Sequence, residues 1–366
     1  MTNQRCADIT EAGVSLWLDD LSRSRITTGN LQEMLAEFGI RGVTTNPAIF
    51  QQALSDSSAY TEQLRKLAEA GHDASQTVTE VTSTDVALAC DQLADLYTNS
   101  NGVDGRVSIE VDPRLAHDTA ATVKQAKDLA FRIAKPNLMI KIPATEAGLP
   151  AITEVIGAGI SVNVTLIFSL GRYREVINAY MLGLEKAHQA GIPLADIHSV
   201  ASFFVSRVDT KVDEQLPSDS LLRGKSGVAN AQLAYRIFEQ SQETTRWTYL
   251  AKQGANLQRP LWASTGVKDP SLPDTLYVDE LIAPHTVNTL PEKTLRAFAD
   301  HGSTEKRITE ESYAEAEQVL NGLKACGVSY QTVVQELEDE GLQKFVDAWT
   351  QLLDTIQVTL DEYLTR

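Results

Sequence analysis

Eight short runs of β-strand character, separated by stretches of helical character, constrain this 366-residue chain more than any other feature. The runs lie at 15–19, 42–46, 106–112, 137–143, 161–168, 199–207, 259–265 and 276–283. Between the first two, Leu31, Met34, Leu35 and Phe38 recur at helical spacing. Asn30 with Glu33 has the form of a capping box before them, and Gly39 closes the helix. Strands that alternate with helices predict a parallel sheet with helices outside. Eight of them suggest closure, although an open doubly wound sheet has the same local grammar. The reading adopted is α/β, a single (β/α)8 TIM barrel over about 14–300, within one domain that spans 1–366.

From about residue 303 to 366 the chain is acidic and helical, with no further strand. Phe345, Trp349, Leu352, Leu353, Ile356 and Leu360 share one helical face. This extension is expected to pack on the outside of the barrel with its acidic face in solvent, where it could cover a barrel end or form an interface.

A parallel strand buried on both faces should be a nearly continuous apolar run. Several of these are not. Val162, Val164, Leu166 and Phe168 fall on one face of their run, and Asn163 and Thr165 on the other. Val107, Ile109 and Val111 oppose Ser108, Glu110 and Asp112; Ile140 and Ile142 oppose Met139 and Lys141; Asp19 opposes Leu16 and Leu18. Asn46 ends GVTTN, and Ser202 lies within SVASFFVSR. If the apolar faces meet the helices, the polar faces converge inside the barrel, mostly toward the C-terminal strand ends, where barrel enzymes place their chemistry. One buried polar residue is as readily a satisfied core hydrogen bond as a catalytic group. Six strands with the same pattern are not explained that way, because burying Lys141, Asp19 and Glu110 costs stability.

Lys141 sits in LMIKIPAT. Apolar surroundings favour the uncharged form of an amine, which can attack a carbonyl and form an imine. Snorkelling at a strand end is the bland alternative. Asp19 and Glu110 could supply the proton transfers that imine chemistry and carbon–carbon cleavage require. Asn46, Asn163, Thr165 and Ser202 can hydrogen-bond a small polyol without competing for protons.

The formal net charge is −17, which disfavours nucleic acid and anionic membranes as partners. Any phosphate must then be held by local cations and N–H groups. Cys6, Cys90 and Cys326 are odd in number and widely spaced, as expected of reduced thiols. The N-terminus lacks the apolar core of a signal peptide, and a cytoplasmic location is expected. The six histidines show no metal-binding spacing, so no metal is expected. GKS at 224–226 lacks the glycine of a P-loop, Asp219 standing there, and it is expected to begin a helix instead. Neither GxGxxG nor GxSxG occurs. His117, Trp17, Trp247, Trp262 and Trp349 read as surface or packing residues.

The strings SLWLDDL, GVTTNPAIF, RVSIEVDPRLAHDT, LMIKIPAT, ISVNVTLIFS, ASFFVSRVD, GKSGVANAQLAY and LWASTGVKDP resemble the transaldolase family, roughly from Val14 to Leu290. The resemblance implies the barrel and cofactor-free exchange of a dihydroxyacetone unit between sugar phosphates in the pentose phosphate pathway. It implies that Lys141 is the Schiff-base lysine and that Asp19 is the acid/base of bond cleavage. Glu110 and Thr165 would hold the water of imine chemistry. Asn46, Asn163 and Ser202 would hold the dihydroxyacetone part, and Arg207 and Ser264 the phosphate. Many members carry a basic residue two positions after that serine. Here Gly266 stands there, and Lys268 is the nearest cation to take the role. An Arg207–Asp209 surface pair is the bland alternative for Arg207. Two other functions stay open: a fructose-6-phosphate aldolase of the same mechanism, and a non-catalytic sugar-phosphate-binding barrel. Oligomeric state is not fixed, a homodimer being one state open to the chain.

Overall fold

The computed structural model describes residues 2–55 and 57–365. Its strands are β1 (Val14–Leu18), β2 (Gly42–Val43), β3 (Arg106–Glu110), β4 (Leu138–Pro143), β5 (Val162–Ile167), β6 (Ser199–Phe204), β7 (Gln258–Ala263) and β8 (Thr286–Leu290). They pair in parallel in sequence order, and β8 returns to β1, closing the barrel. Leu16, Leu18, Val43, Val107, Ile109, Ile140, Ile142, Val162 and Val164 pack outward into the core shared with the helices. The alternate residues point inward, as the pleat requires.

Inside, the barrel is filled in tiers. Trp17, Met139, Val200, Leu261 and Val287 form an apolar floor. Each stands two positions before a residue of the mouth: Asp19, Lys141, Ser202, Ala263 and Thr289. Gly42 makes room for this floor, because a Cβ there would lie 2.5 Å from the Trp17 ring. Below it, Asp104 accepts from Ser15 at 2.7 Å and pairs with Arg41 and Arg259 at 3.2 and 3.3 Å. The N-terminal end of the barrel is thus plugged by a polar network, and the C-terminal end is left for chemistry.

The structure corrects four expectations. The eighth strand is Thr286–Leu290, not the run at 276–283. That run opens as a short helix, Leu276–Asp279, whose Tyr277 donates to buried Asp209 at 2.7 Å. Asn30 does not build a capping box: Gly29, at φ 84°, is the cap residue, and the Asn30 side-chain oxygen accepts from Arg25 instead. The face assigned to Leu166 and Phe168 is wrong. Leu166 has φ 60°, and the β5–β6 register shifts between Val164 and Ile167. This irregularity turns Leu166 and Phe168 to the inner cluster and Ile167 to the outer one.

The fourth correction concerns the C-terminal extension. The helix Glu310–Ala325 does pack outside, against the helix Ser226–Gln242 that follows GKS. The last helix, Tyr330–Leu364, does not; it crosses the C-terminal mouth. At 1.5 Å per residue its 35 residues reach on the order of 50 Å, enough to span the barrel. Gly341 allows the close approach, since a Cβ there would meet the Leu166 side chain at 3.1 Å and Phe168 at 3.4 Å.

Candidate active site

The register of β3, β4 and β5 sets Glu110 beside Lys141 and Lys141 beside Asn163. All three are buried. Lys141 Nζ donates to the Thr45 carbonyl at 3.1 Å and lies 3.8 Å from Glu110 Oε2. Neither Glu110 oxygen has a hydrogen-bond partner among the described residues. Burial pushes the Glu110 carboxyl up to about 7; Lys141 opposes this and Asp19 adds to it. Desolvation therefore outweighs the opposing pull of Lys141, whose Nζ is too distant for a hydrogen bond.

Asp19 follows β1 and is partly buried. Its carboxylate accepts from Thr44 Oγ1 at 2.6 Å, and Thr44 Oγ1 lies 2.6 Å from Thr289 Oγ1. With the Thr44 proton committed to Asp19, Thr289 is the donor in that second bond. Burial raises the Asp19 carboxyl above the usual range, while Lys141, Thr44 and Arg207 draw it back.

Asp19, Asn46, Lys141, Thr165, Ser202, Arg207, Ser264 and Lys268 line one cavity of about 220 Å³ at the mouth. Glu110 opens instead into an adjoining pouch of about 10 Å³ with Asn46, Pro47, Phe50 and Trp349. That is the lower limit for holding one water. Asn163 is not at the surface of either. It accepts from Ser202 Oγ at 2.7 Å and donates to Ser108 Oγ at 3.1 Å, so it fixes Ser202 from beneath. Asn46 caps the helix Pro47–Ser55, accepting from the Ile49 amide at 3.0 Å. Thr165 Oγ1 is buried without a partner among the described residues, facing the same cavity.

Arg207 lies in the first turn of the helix Ser206–Asp213, where sequence reading put a strand end. Its guanidinium stands over the Phe204 ring at 5.3 Å, and Nη1 has no hydrogen-bond partner among the described residues. It does not pair with Asp209, whose carboxylate accepts from the Gly227 amide and Tyr277. Ser264, at φ 55°, places its hydroxyl 3.0 Å from Ser206 Oγ. Lys268 is exposed at the rim, where desolvation, Arg207 and Lys344 push its amine down. Arg207 and Lys268 thus line the same cavity as Asp19 and Lys141, while Glu110 stays in the adjoining pouch.

Sequence reading missed several lining residues. Phe345 lines the cavity with its ring centroid 5.8 Å from Lys141 Nζ. Thr44, Thr289 and Phe204 line it too. Trp349, read as packing, closes the Glu110 pouch. Helical periodicity found Phe345 and Trp349 as an apolar face, but nothing local to them tells which surface that face meets. A larger groove of about 670 Å³, lined by Leu221, Arg223, Lys225 and Glu315 among others, contains none of the inward polar residues of the barrel.

The profile of the Transaldolase/Fructose-6-phosphate aldolase family matches residues 16–356. The chain is 56% identical over 365 residues to "Transaldolase" of Renibacterium salmoninarum, covering 98% of both. It is 57% identical over 357 residues to "Transaldolase 1" of Streptomyces avermitilis, covering 96% of this chain and 94% of the relative. It is 56% identical over 364 residues to "Transaldolase" of Mycolicibacterium smegmatis, covering 98% of both.

Proposed function

The chain belongs to the transaldolase/fructose-6-phosphate aldolase family, and we propose that it works as the transferase of that pair through a Schiff base on Lys141. It moves a dihydroxyacetone unit from sedoheptulose 7-phosphate to glyceraldehyde 3-phosphate, giving erythrose 4-phosphate and fructose 6-phosphate in the pentose phosphate pathway. The observation that carries the residue assignment is the position of the Lys141 amine. It is buried within the barrel, 3.8 Å from a carboxyl whose oxygens have no hydrogen-bond partner among the described residues, in a cavity that Arg207 and Lys268 also line.

The donor's C2 carbonyl is attacked by the Lys141 amine, and the carbinolamine loses water to give an iminium. Glu110 and Thr165 handle that water, since the Glu110 pouch is the size of one. With its carboxyl near neutrality, Glu110 can give and take a proton at working pH. The iminium then accepts the electron pair of the C3–C4 bond as Asp19 removes the C4 hydroxyl proton. The aldehyde leaves, and an enamine stays on Lys141. The acceptor aldehyde reverses these steps, and Asp19 returns the proton to the new alkoxide. Asn46 and Ser202, with Asn163 behind it, orient the three-carbon unit. Arg207, Ser264 and Lys268 hold the phosphate.

We read the chain as one domain, because its last helix covers the barrel's own mouth, and place it in the cytoplasm, in keeping with its free cysteines. Among the described residues no helix is long and apolar enough to cross a membrane. Borohydride reduction in the presence of fructose 6-phosphate, followed by peptide mass spectrometry, tests the assignment. The expected result is a three-carbon adduct on Lys141. An adduct elsewhere, or none, overturns it. Product formation with and without erythrose 4-phosphate then separates transfer from simple aldol cleavage.

A further inference from the structure

The last helix brings two large apolar rings over the reacting lysine. Phe345 and Trp349 are one turn apart on the same face, both buried. The Phe345 ring faces Lys141 Nζ from 5.8 Å across the mouth cavity. Trp349 closes the pouch that holds Glu110, together with Asn46, Pro47, Phe50, Thr82 and Ile109. The helix is pinned at both sides of this pair. Before it, Gly341 rests on Leu166 and Phe168, and Lys211 pairs with Glu336 and Glu340 at 3.1 and 2.6 Å. After it, Leu352, Ile356 and Leu360 are buried in the core of the helical shell.

We propose that Phe345 and Trp349 form an apolar roof that keeps bulk water from the lysine-bound three-carbon intermediate, so that an aldehyde and not water takes it up. The proposal rests on the reading of Lys141 as the Schiff-base residue. The enamine left by bond cleavage has two fates. Its carbon can attack an aldehyde carbonyl, forming a carbon–carbon bond while the alkoxide takes a proton from Asp19. Alternatively its carbon takes a proton and becomes an iminium. Water then adds at C2, a proton passes to nitrogen and the C–N bond breaks, releasing dihydroxyacetone and the free Lys141 amine. The second fate consumes one water and needs an outside proton at carbon. An apolar cover of this kind disfavours the protonation at carbon, because it keeps out the solvent that would supply the proton, while the pouch beside Glu110 still has room for the single water that imine formation releases and final release consumes.

The test uses full-length protein with fructose 6-phosphate. Release of dihydroxyacetone without acceptor and formation of sedoheptulose 7-phosphate with erythrose 4-phosphate are followed by NMR, and their ratio is taken. Phe345→Ala and Trp349→Ala are expected to raise that ratio roughly tenfold, and Trp349→Phe to hold it within about twofold of the parent. A structural defect alone would lower both rates in proportion. Phe345→Leu and Phe345→Gln nearly match in volume and differ in polarity, so they serve where the alanine variants unfold; the ratio should rise for Gln and not for Leu. Equal ratios in that pair, or an unchanged ratio in folded alanine variants, overturn the roof. Borohydride trapping on the same samples separates the two ideas. An adduct on Lys141 with an unchanged ratio removes the roof alone, whereas absence of the adduct in the parent protein removes the Lys141 reading.

Discussion

Residue by residue, the site works by setting burial against charge. Asp19 and Glu110 are both raised by desolvation, yet they differ in what holds them. Asp19 is anchored by Thr44, itself next to Thr289, while Glu110 is anchored by nothing but its enclosure. Asp19→Asn should therefore leave imine trapping intact while slowing carbon–carbon cleavage by about 10²-fold or more, as loss of a positioned acid–base group does. Equal loss of both steps in rapid-quench trapping would contradict its role. Glu110 makes a prediction about stability. Its folded-state value of about 7 lies above the ordinary glutamate range, so the folded protein holds a proton that the unfolded chain gives up. Stability then falls as pH rises from the unfolded value toward and past 7, by roughly 3 kcal/mol in total. Glu110→Gln cannot ionise and should escape this loss. Urea unfolding at pH 5 and pH 8 should show the variant gaining on the parent at the higher pH, and a constant difference would refute the cause given.

At the scale of elements, two irregular pieces decide the shape of the mouth. The turn at Leu166 gives β5 a change of face, which sends Leu166 and Phe168 upward as a seat. The last helix rests on that seat at Gly341. Gly341→Val would put a branched side chain where even a Cβ is at 3.1 Å from Leu166, so the helix must move away from β5. A cost of about 1–3 kcal/mol is expected, together with faster amide hydrogen exchange along 337–349 and lower turnover. Unchanged exchange would mean that the helix is held by its ends alone. Neither piece was legible beforehand. The alternation in VNVTLIF gives no sign of a break, and an apolar helical face does not say what it covers. The run at 276–283 misled for a related reason: it is more apolar than TVNTL, but TVNTL is the segment that reaches both β7 and β1.

Across the whole molecule, the barrel separates stability from chemistry along its axis. Asp104 pairs with both Arg41 and Arg259 at the N-terminal end, beneath the apolar floor that carries the site. Asp104→Asn should cost about 3 kcal/mol, since it strands Arg259 in a buried position. Turnover per folded molecule should stay at the parent value, because the substitution lies on the far side of Trp17 from Lys141. A fall in kcat/KM for the folded fraction, measured beside denaturant unfolding, would show that the two ends are coupled. The net charge of −17 is likewise a property of the whole, and against it Arg207 and Lys268 stand as cations lining the mouth cavity, where the proposed phosphate site would lie. The sequence by itself determined the strand–helix alternation, the inward polar residues and the chemistry they can do, because periodicity and functional groups are written within a few neighbouring positions. The tertiary structure alone decided closure through β8 and the break in β5. It alone set Asn163 behind Ser202, and it alone laid the last helix over Lys141. Each of these depends on contacts between segments far apart in the chain, whose free energy exists only once the barrel has formed.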